Sequence, residues 1–297
     1  MRIPLKSLAA GVLASMMFAG TAHAGFAGTA HAGFAGTAHA GFAGTAHAGF
    51  AGTAHAGFAG TAHAGAEAQA PAYPRVLTNN PVYKTGPLGL KTCEEVPVQA
   101  DDIEGVRVYL EFLLDCLNES WGAQLKKAGY SFTKPRLQVI PKIGNSACGK
   151  FPRGAQAVYC WDKRTMVVLL DKALLAEPYE LDLMHVIAHE YGHHVQNMAG
   201  ILPGYTRLPA ASEKVWLGHL RRIELQAECL SGAFIGSVWH SLKRDPFDFK
   251  YIVKTAKYSD SASHGKGRNI AHWLQKGYDL EGPHACNTFT APKSRVS

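Results

Sequence analysis

The chain carries the run His189-Glu190-Tyr191-Gly192-His193-His194. Two imidazoles four residues apart share one face of an α-helix, so His189 and His193 stand side by side where one metal ion can take a nitrogen from each. Glu190, one position round from the first imidazole, can accept a proton from a water that the metal activates. The chemistry this spacing allows is hydrolysis, with a carboxylate as general base. A chance run on an ordinary exposed helix is the competing account, and the flanking elements weigh against it.

Two imidazoles leave a hydrolytic zinc site incomplete, because such sites use three protein ligands and keep one open position. The extended pattern H-E-x-x-H-x-x-G-x-x-H would place Gly at position 196 and His at 199, where this chain has Gln196 and Ala199. A carboxylate on the following helix is the other known arrangement. Glu224 is the best candidate, and Glu228, one turn later, is placed to hydrogen-bond a ligand imidazole and fix its orientation. His185, one turn before His189, is a candidate to support a ligand imidazole, with a partly buried structural role as the favoured reading. His194 points away from the metal face and reads as structural or surface. His264 sits in a loop beside small residues; it is a candidate for stabilising the oxyanion of a tetrahedral intermediate, with loop capping an equal alternative. Tyr205 and Tyr258 compete for the same task.

The elements that must hold these residues follow from periodicity. Met184, Ala188, Tyr191, Val195 and Met198 recur at steps of four and three, predicting a helix from near Pro178 to Gly200 with this stripe buried. Trp216, Leu220, Ile223, Ala227, Leu230 and Phe234 predict a second long helix from about Ser212 to Leu242, with Glu224 and Glu228 on the adjacent face. Apolar positions between Asp101 and Gly129 predict one or two further helices. Leu137–Ile140, Ala157–Trp161 and Thr165–Leu170 read as strands, the last two joined in a hairpin by Asp162-Lys163-Arg164. Two shorter helices are expected after Pro246 and over Asn269–Gly277.

Composition bounds the rest. The chain has 297 residues, 47% hydrophobic, with 30 Lys plus Arg against 23 Asp plus Glu. The positive excess is spread rather than gathered into a basic run, which argues against nucleic acid as a partner. Residues 1–24 read as a secretory signal: Arg2 and Lys6, an apolar middle over Leu8–Gly20, and the small-x-small end Ala22-His23-Ala24. That middle is too short to span a bilayer, so no stable membrane insertion is expected once the signal is removed. From Ala19 the unit Ala-Gly-Thr-Ala-His-Ala-Gly-Phe repeats every eight residues, and residues 25–66 read as a disordered low-complexity segment whose histidines stay away from the metal. A proline-containing linker is expected over 67–89 and a folded domain over 90–297. Six cysteines in an exported chain are expected to pair. Their spacing favours Cys93 with Cys116, Cys148 with Cys160, and Cys229 with Cys286.

Several pieces resemble the neutral zinc metallopeptidases of bacteria: Leu117-Asn118-Glu119-Ser120-Trp121, Ala147-Cys148-Gly149, Tyr159-Cys160, His189 to Gln196, Glu224-Leu225-Gln226-Ala227-Glu228-Cys229, Ser263-His264-Gly265, Gly277-Tyr278 and Cys286-Asn287-Thr288-Phe289. The resemblance covers roughly Leu90 to Phe289. It implies an α+β, zincin-like fold in which a small sheet packs on the HExxH helix and a second, Glu-bearing helix supplies the third ligand. At position 228 that family usually has Asp, one methylene shorter than the Glu found here. The expectation is a secreted or periplasmic Zn2+-dependent endopeptidase acting on protein or peptide, with His189, His193 and Glu224 as ligands and Glu190 as base. By analogy with other zincins, the substrate is expected along a hairpin edge near Thr165–Leu170. Two alternatives stand beside it: an inactive, zinc-stabilised cell-surface binding protein, and an amidase of cell-wall peptide.

Overall fold

The structure, a computed structural model, describes residues 12–15 and 73–297. The repeat and most of the expected signal lie outside these residues. Helices dominate: α1 (Arg75–Thr78), α2 (Ile103–Lys127), α3 (Lys172–Ala176), α4 (Glu180–Met198), α5 (Ile201–Tyr205), α6 (Glu213–Leu242), α7 (Pro246–Lys257) and α8 (Gly267–Leu280). The strands are β1 (Val12–Ser15), β2 (Arg136–Ile140), β3 (Asn145–Ser146), β4 (Gly149–Lys150), β5 (Ala157–Cys160) and β6 (Thr165–Leu169). The chain is thus a mixed α and β protein with small sheets.

The main sheet runs β1-β5-β6-β2, with β6 antiparallel to β5 and parallel to β2. Side chains alternate across a strand, and both faces here are covered. Ala157, Tyr159, Met166 and Val168 join the large core shared with α2 and α4. Val158, Cys160, Val167 and Leu169 turn the other way, onto Phe151 and Ala155 next to the β3–β4 hairpin. One expectation of the sequence reading changes here. β6 was expected to offer an edge to an extended substrate, but β2 occupies that side in register from Arg136–Thr165 to Ile140–Leu169. The other hairpin strand, β5, is covered as well, since it pairs antiparallel with β1. β1 itself falls inside the stretch read as the apolar middle of a signal.

The second correction concerns where the fold begins. The stretch expected to be a linker up to residue 89 buries Leu77, Val82 and Leu88. The segment is held because Asn80 Nδ2 donates to Ala199 O at 2.9 Å, at the end of α4, while Gln226 Nε2 on α6 donates to Tyr83 Oη at 2.7 Å. Prolines fix backbone here without making it a spacer: Pro81 opens a 3₁₀ turn capped by the Asn80 side chain.

Caps explain the helix limits. Asp102 accepts from Gly105 N at the start of α2, and Ser212 accepts from Val215 N at the start of α6. α4 starts at Glu180, two residues after Pro178, with Glu180 and Asp182 in its first turn facing the positive end of the helix dipole. It ends before Gly200, whose φ of 72° is the left-handed value favoured just past a helix end. Three disulfides lock the frame, Cys93–Cys116, Cys148–Cys160 and Cys229–Cys286. Among the described residues, no helix is long and apolar enough to cross a membrane.

Candidate metal centre

The site forms where α4 and α6 cross. A Cβ at Gly192 would stand 2.9 Å from Ala227 O and 3.0 Å from Ala227 Cα, so the two backbones meet at a distance that only glycine allows. This contact, between His189 and His193 on one helix and between Glu224 and Glu228 on the other, brings the two pairs face to face. All four side chains are buried.

His193 shows what the arrangement needs. Its Nδ1 lies 2.9 Å from Gln196 Oε1. Gln196 Nε2 donates to Ile223 O and to Gln226 Oε1, so Oε1 must be the acceptor and His193 Nδ1 must carry the proton. Nε2 of the neutral ring is then a bare lone pair. It faces Glu224 Oε2 at 3.2 Å, and among the described residues it has no hydrogen-bond partner. Burial holds the His193 pKa below its ordinary value, partly offset by Glu224, which favours this neutral ring. Two acceptors pressed together in a dry site are stabilised by a positive charge between them, a proton or a metal ion.

His189 meets the same carboxylate. Its Nδ1 donates to Glu228 Oε2 at 2.9 Å and its Nε2 lies 3.4 Å from Glu224 Oε2. Burial opposes a charge on this ring, but the hydrogen bonds to Glu224 and Glu228 outweigh it and lift the pKa to about 10. A proton on Nε2 therefore occupies the place a metal cation would take, and binding a metal there would release it. Burial pushes Glu224 up, yet His193, His264 and His189 hold its carboxyl well below the ordinary range. Glu228 is held low in the same way, against burial, by His185 and His189.

The separations of Glu224 from the two imidazoles of α4 fit zinc, while the group whose ligand atoms all lie within 4.8 Å of one another is His189, Glu224 and His264. Donors about 2.0–2.1 Å from a tetrahedral ion stand about 3.3 Å from one another. Glu224 Oε2 lies 3.4 Å from His189 Nε2 and 3.2 Å from His193 Nε2. Nitrogen and carboxylate donors are the set that zinc prefers in hydrolytic sites. Glu190, 0% exposed, sits beside His189 on the same helix.

The geometry also reaches residues that the sequence reading placed elsewhere or passed over. His185, read as structural, has its Nε2 2.8 Å from Glu228 Oε1, so Glu228 spans two imidazoles with its two oxygens. Gln196 was weighed only as a missing glycine, although its position three residues after His193 puts both on one helix face, a signal available from spacing. Asn118 of α2 accepts from Tyr191 Oη at 2.8 Å, which ties the back of α4 to α2. His264 comes from the loop before α8: its Nε2 lies 3.2 Å from Glu224 Oε2, and its ring centroid is 5.7 Å from that of His189. Tyr258 is exposed, while Tyr205 lies within electrostatic reach of Glu224.

The sequence profile of the family described as "Putative neutral zinc metallopeptidase" matches residues 95–257, more than half of the chain. The chain belongs to this family. The matched span contains His189, Glu190, His193, Glu224 and Glu228 and ends before the loop that carries His264. Protein YpfJ of Escherichia coli, itself named as uncharacterized, is 26% identical over 202 residues, which are 61% of this chain and 70% of YpfJ. An uncharacterized protein of Mycobacterium tuberculosis is 24% identical over 196 residues, covering 54% of this chain and 64% of that relative. No solved structure matches the chain.

Proposed function

We propose that this protein is a secreted or periplasmic zinc endopeptidase with a zincin-like arrangement of its two site helices. The observation that carries the reading is the Nε2 of His193 against Glu224 Oε2, 3.2 Å apart in a buried site on the helix that also carries the buried Glu190. His189, His193 and Glu224 would hold the ion, and Glu228 would keep the His189 ring in the tautomer that leaves Nε2 for it. A zinc ion bound there supplies Lewis acidity, polarising a substrate carbonyl and lowering the pKa of water. Glu190 takes the proton from the attacking water as the new C–O bond forms. It then hands that proton to the amine nitrogen as the C–N bond breaks, which returns the carboxylate to its starting state. Glu224 adds a fixed negative charge, and burial keeps bulk water from dissipating these interactions.

An oxidising compartment is supported by the three disulfides, since cytosolic thiols are kept reduced. A peptide substrate is supported by the family description.

The test is Glu190→Gln, which removes the base and keeps the size. Zinc content should stay at the wild-type level while cleavage of an unfolded protein substrate falls by roughly 10²–10⁴. Cleavage at the wild-type rate with zinc bound would sink the mechanism. A wild-type protein that binds zinc and cleaves nothing is the inactive binding protein. One that cuts only cell-wall fragments is the amidase.

A further inference from the structure

We propose that His264 is itself a metal-binding side chain, so that the resting site is closed by four protein donors and a substrate opens it by displacing His264. The inference rests on the zinc reading above and goes beyond the family match, which stops short of this loop.

Three imidazole nitrogens converge on one oxygen. Glu224 Oε2 lies 3.4 Å from His189 Nε2, 3.2 Å from His193 Nε2 and 3.2 Å from His264 Nε2. All three values match the roughly 3.3 Å that separates two donors on one tetrahedral zinc ion. His189, Glu224 and His264 form a mutually close set, each offering a ligand atom within 4.8 Å of the others, and His193 joins through the Glu224 oxygen. His264 is 8% exposed, so its ring is turned into the site rather than out to water.

The loop is built to present that nitrogen. Ser261 and Gly265 exchange two backbone hydrogen bonds of 2.9 Å, and His264 N donates to Ser261 Oγ at 2.9 Å. His264 Nδ1 lies 2.9 Å from Ser263 Oγ and 3.3 Å from Ser261 Oγ, which engages that side of the ring and leaves Nε2 for the cluster. Arg221 Nε of α6 donates to Ala262 O at 2.9 Å, and Lys266 N donates to Ser297 O at 2.9 Å. A ligand imidazole with its other nitrogen oriented by a hydrogen bond is the usual second support of a metal site.

Four protein donors make the closed coordination of structural zinc, whereas hydrolysis needs a position for water or substrate. One donor must therefore leave. His189 and His193 are fixed on α4 and Glu224 on α6, deep in the core. His264 alone belongs to a loop, so it is the displaceable one.

The experiment compares wild type with His264→Ala and His264→Cys. The readouts are zinc affinity by competition with a chromophoric chelator and the visible spectrum of the cobalt-loaded proteins. Wild type should bind one ion. His264→Ala should bind one ion roughly a hundredfold more weakly and show shifted visible bands in the cobalt protein, because a water takes the place of an imidazole. His264→Cys should restore tight binding and add a thiolate-to-cobalt charge-transfer band, which arises only where position 264 reaches the ion. Unchanged affinity and spectrum in His264→Ala, with or without a fall in kcat, overturn the proposal, as does a cysteine protein lacking the charge-transfer band. A wild-type protein that binds no ion overturns the zinc reading itself. Matching thermal melts of the metal-free proteins exclude misfolding as the cause of lost affinity.

Discussion

His193 and His194 are neighbours in sequence, on the same turn of the same helix and equally buried, yet they are different kinds of group. His194 faces the sheet, where its Nδ1 meets Tyr159 Oη at 2.8 Å and its Nε2 meets Thr133 O at 2.8 Å. Both nitrogens are used, and the ring packs edge-on against Tyr191, Tyr159 and Phe132. His193 faces α6 with one nitrogen used and the other aimed at a carboxylate oxygen. A buried histidine is structural when its surroundings complete its hydrogen bonds, and a ligand when they leave one lone pair opposite another acceptor. Residue type alone does not separate the two.

That contrast breaks most severely at the metal side. Glu224→Ala leaves the two ring nitrogens of α4 without the anion they share, and zinc affinity should fall by about a thousandfold, ~4 kcal/mol, measured by chelator competition. The sheet side responds to acid instead. Burial lowers the His194 pKa to about 4 from an ordinary value of 6.5. The folded value is the lower one, so the unfolded chain takes up a proton first as pH falls; the stabilisation is complete above about 6.5 and lost between there and about 4. It amounts to about 3 kcal/mol. The difference in unfolding free energy between wild type and His194→Gln, followed by denaturant titration from pH 7.5 to 4.5, should change by that amount. A pH-independent difference would make His194 no more than a packing residue.

Smaller effects sharpen the comparison. Gly192→Ala drives a methyl against the Ala227 backbone and should cost about 1–3 kcal/mol in thermal or denaturant unfolding, with zinc bound more weakly. Glu228→Asp shortens the bridge between His185 and His189 by one methylene. Zinc affinity should drop by about tenfold, with fold stability nearly unchanged, because the shorter carboxylate reaches one imidazole and not both. An affinity equal to wild type would mean that the His185 contact plays no part in orienting the site.

How much of this was legible in the sequence depended on how local the cause was. The pairs His189/His193 and Glu224/Glu228 and the limits of α4 and α6 follow from helical spacing, caps and Gly200, all within a few turns. The cysteine partners follow from their order along the chain, each pairing with the next. Three things did not follow. β6 lost its expected edge because β2, which precedes the hairpin, pairs parallel to it across the intervening β3, β4 and β5 segment. Residues 74–88 looked like a spacer because their prolines are local, whereas Leu77, Val82 and Leu88 find their neighbours far along the chain. His264 had no fixed place because its loop is positioned by Arg221 and by the carbonyl of Ser297. His185 was underrated for the same reason, since its partner lies 43 residues away on another helix.

The crossing at Gly192 has a consequence for ion choice. Because the candidate ligands on α4 and α6 ride on backbones that touch, the gap between them is set by main-chain contact rather than by flexible side chains. The crossing works as a fixed calliper. Opening it by a few tenths of an ångström, as a methyl at position 192 must, would shift preference from zinc toward a larger divalent ion such as cadmium. The smallest side chain in the motif would then be the part that measures the metal.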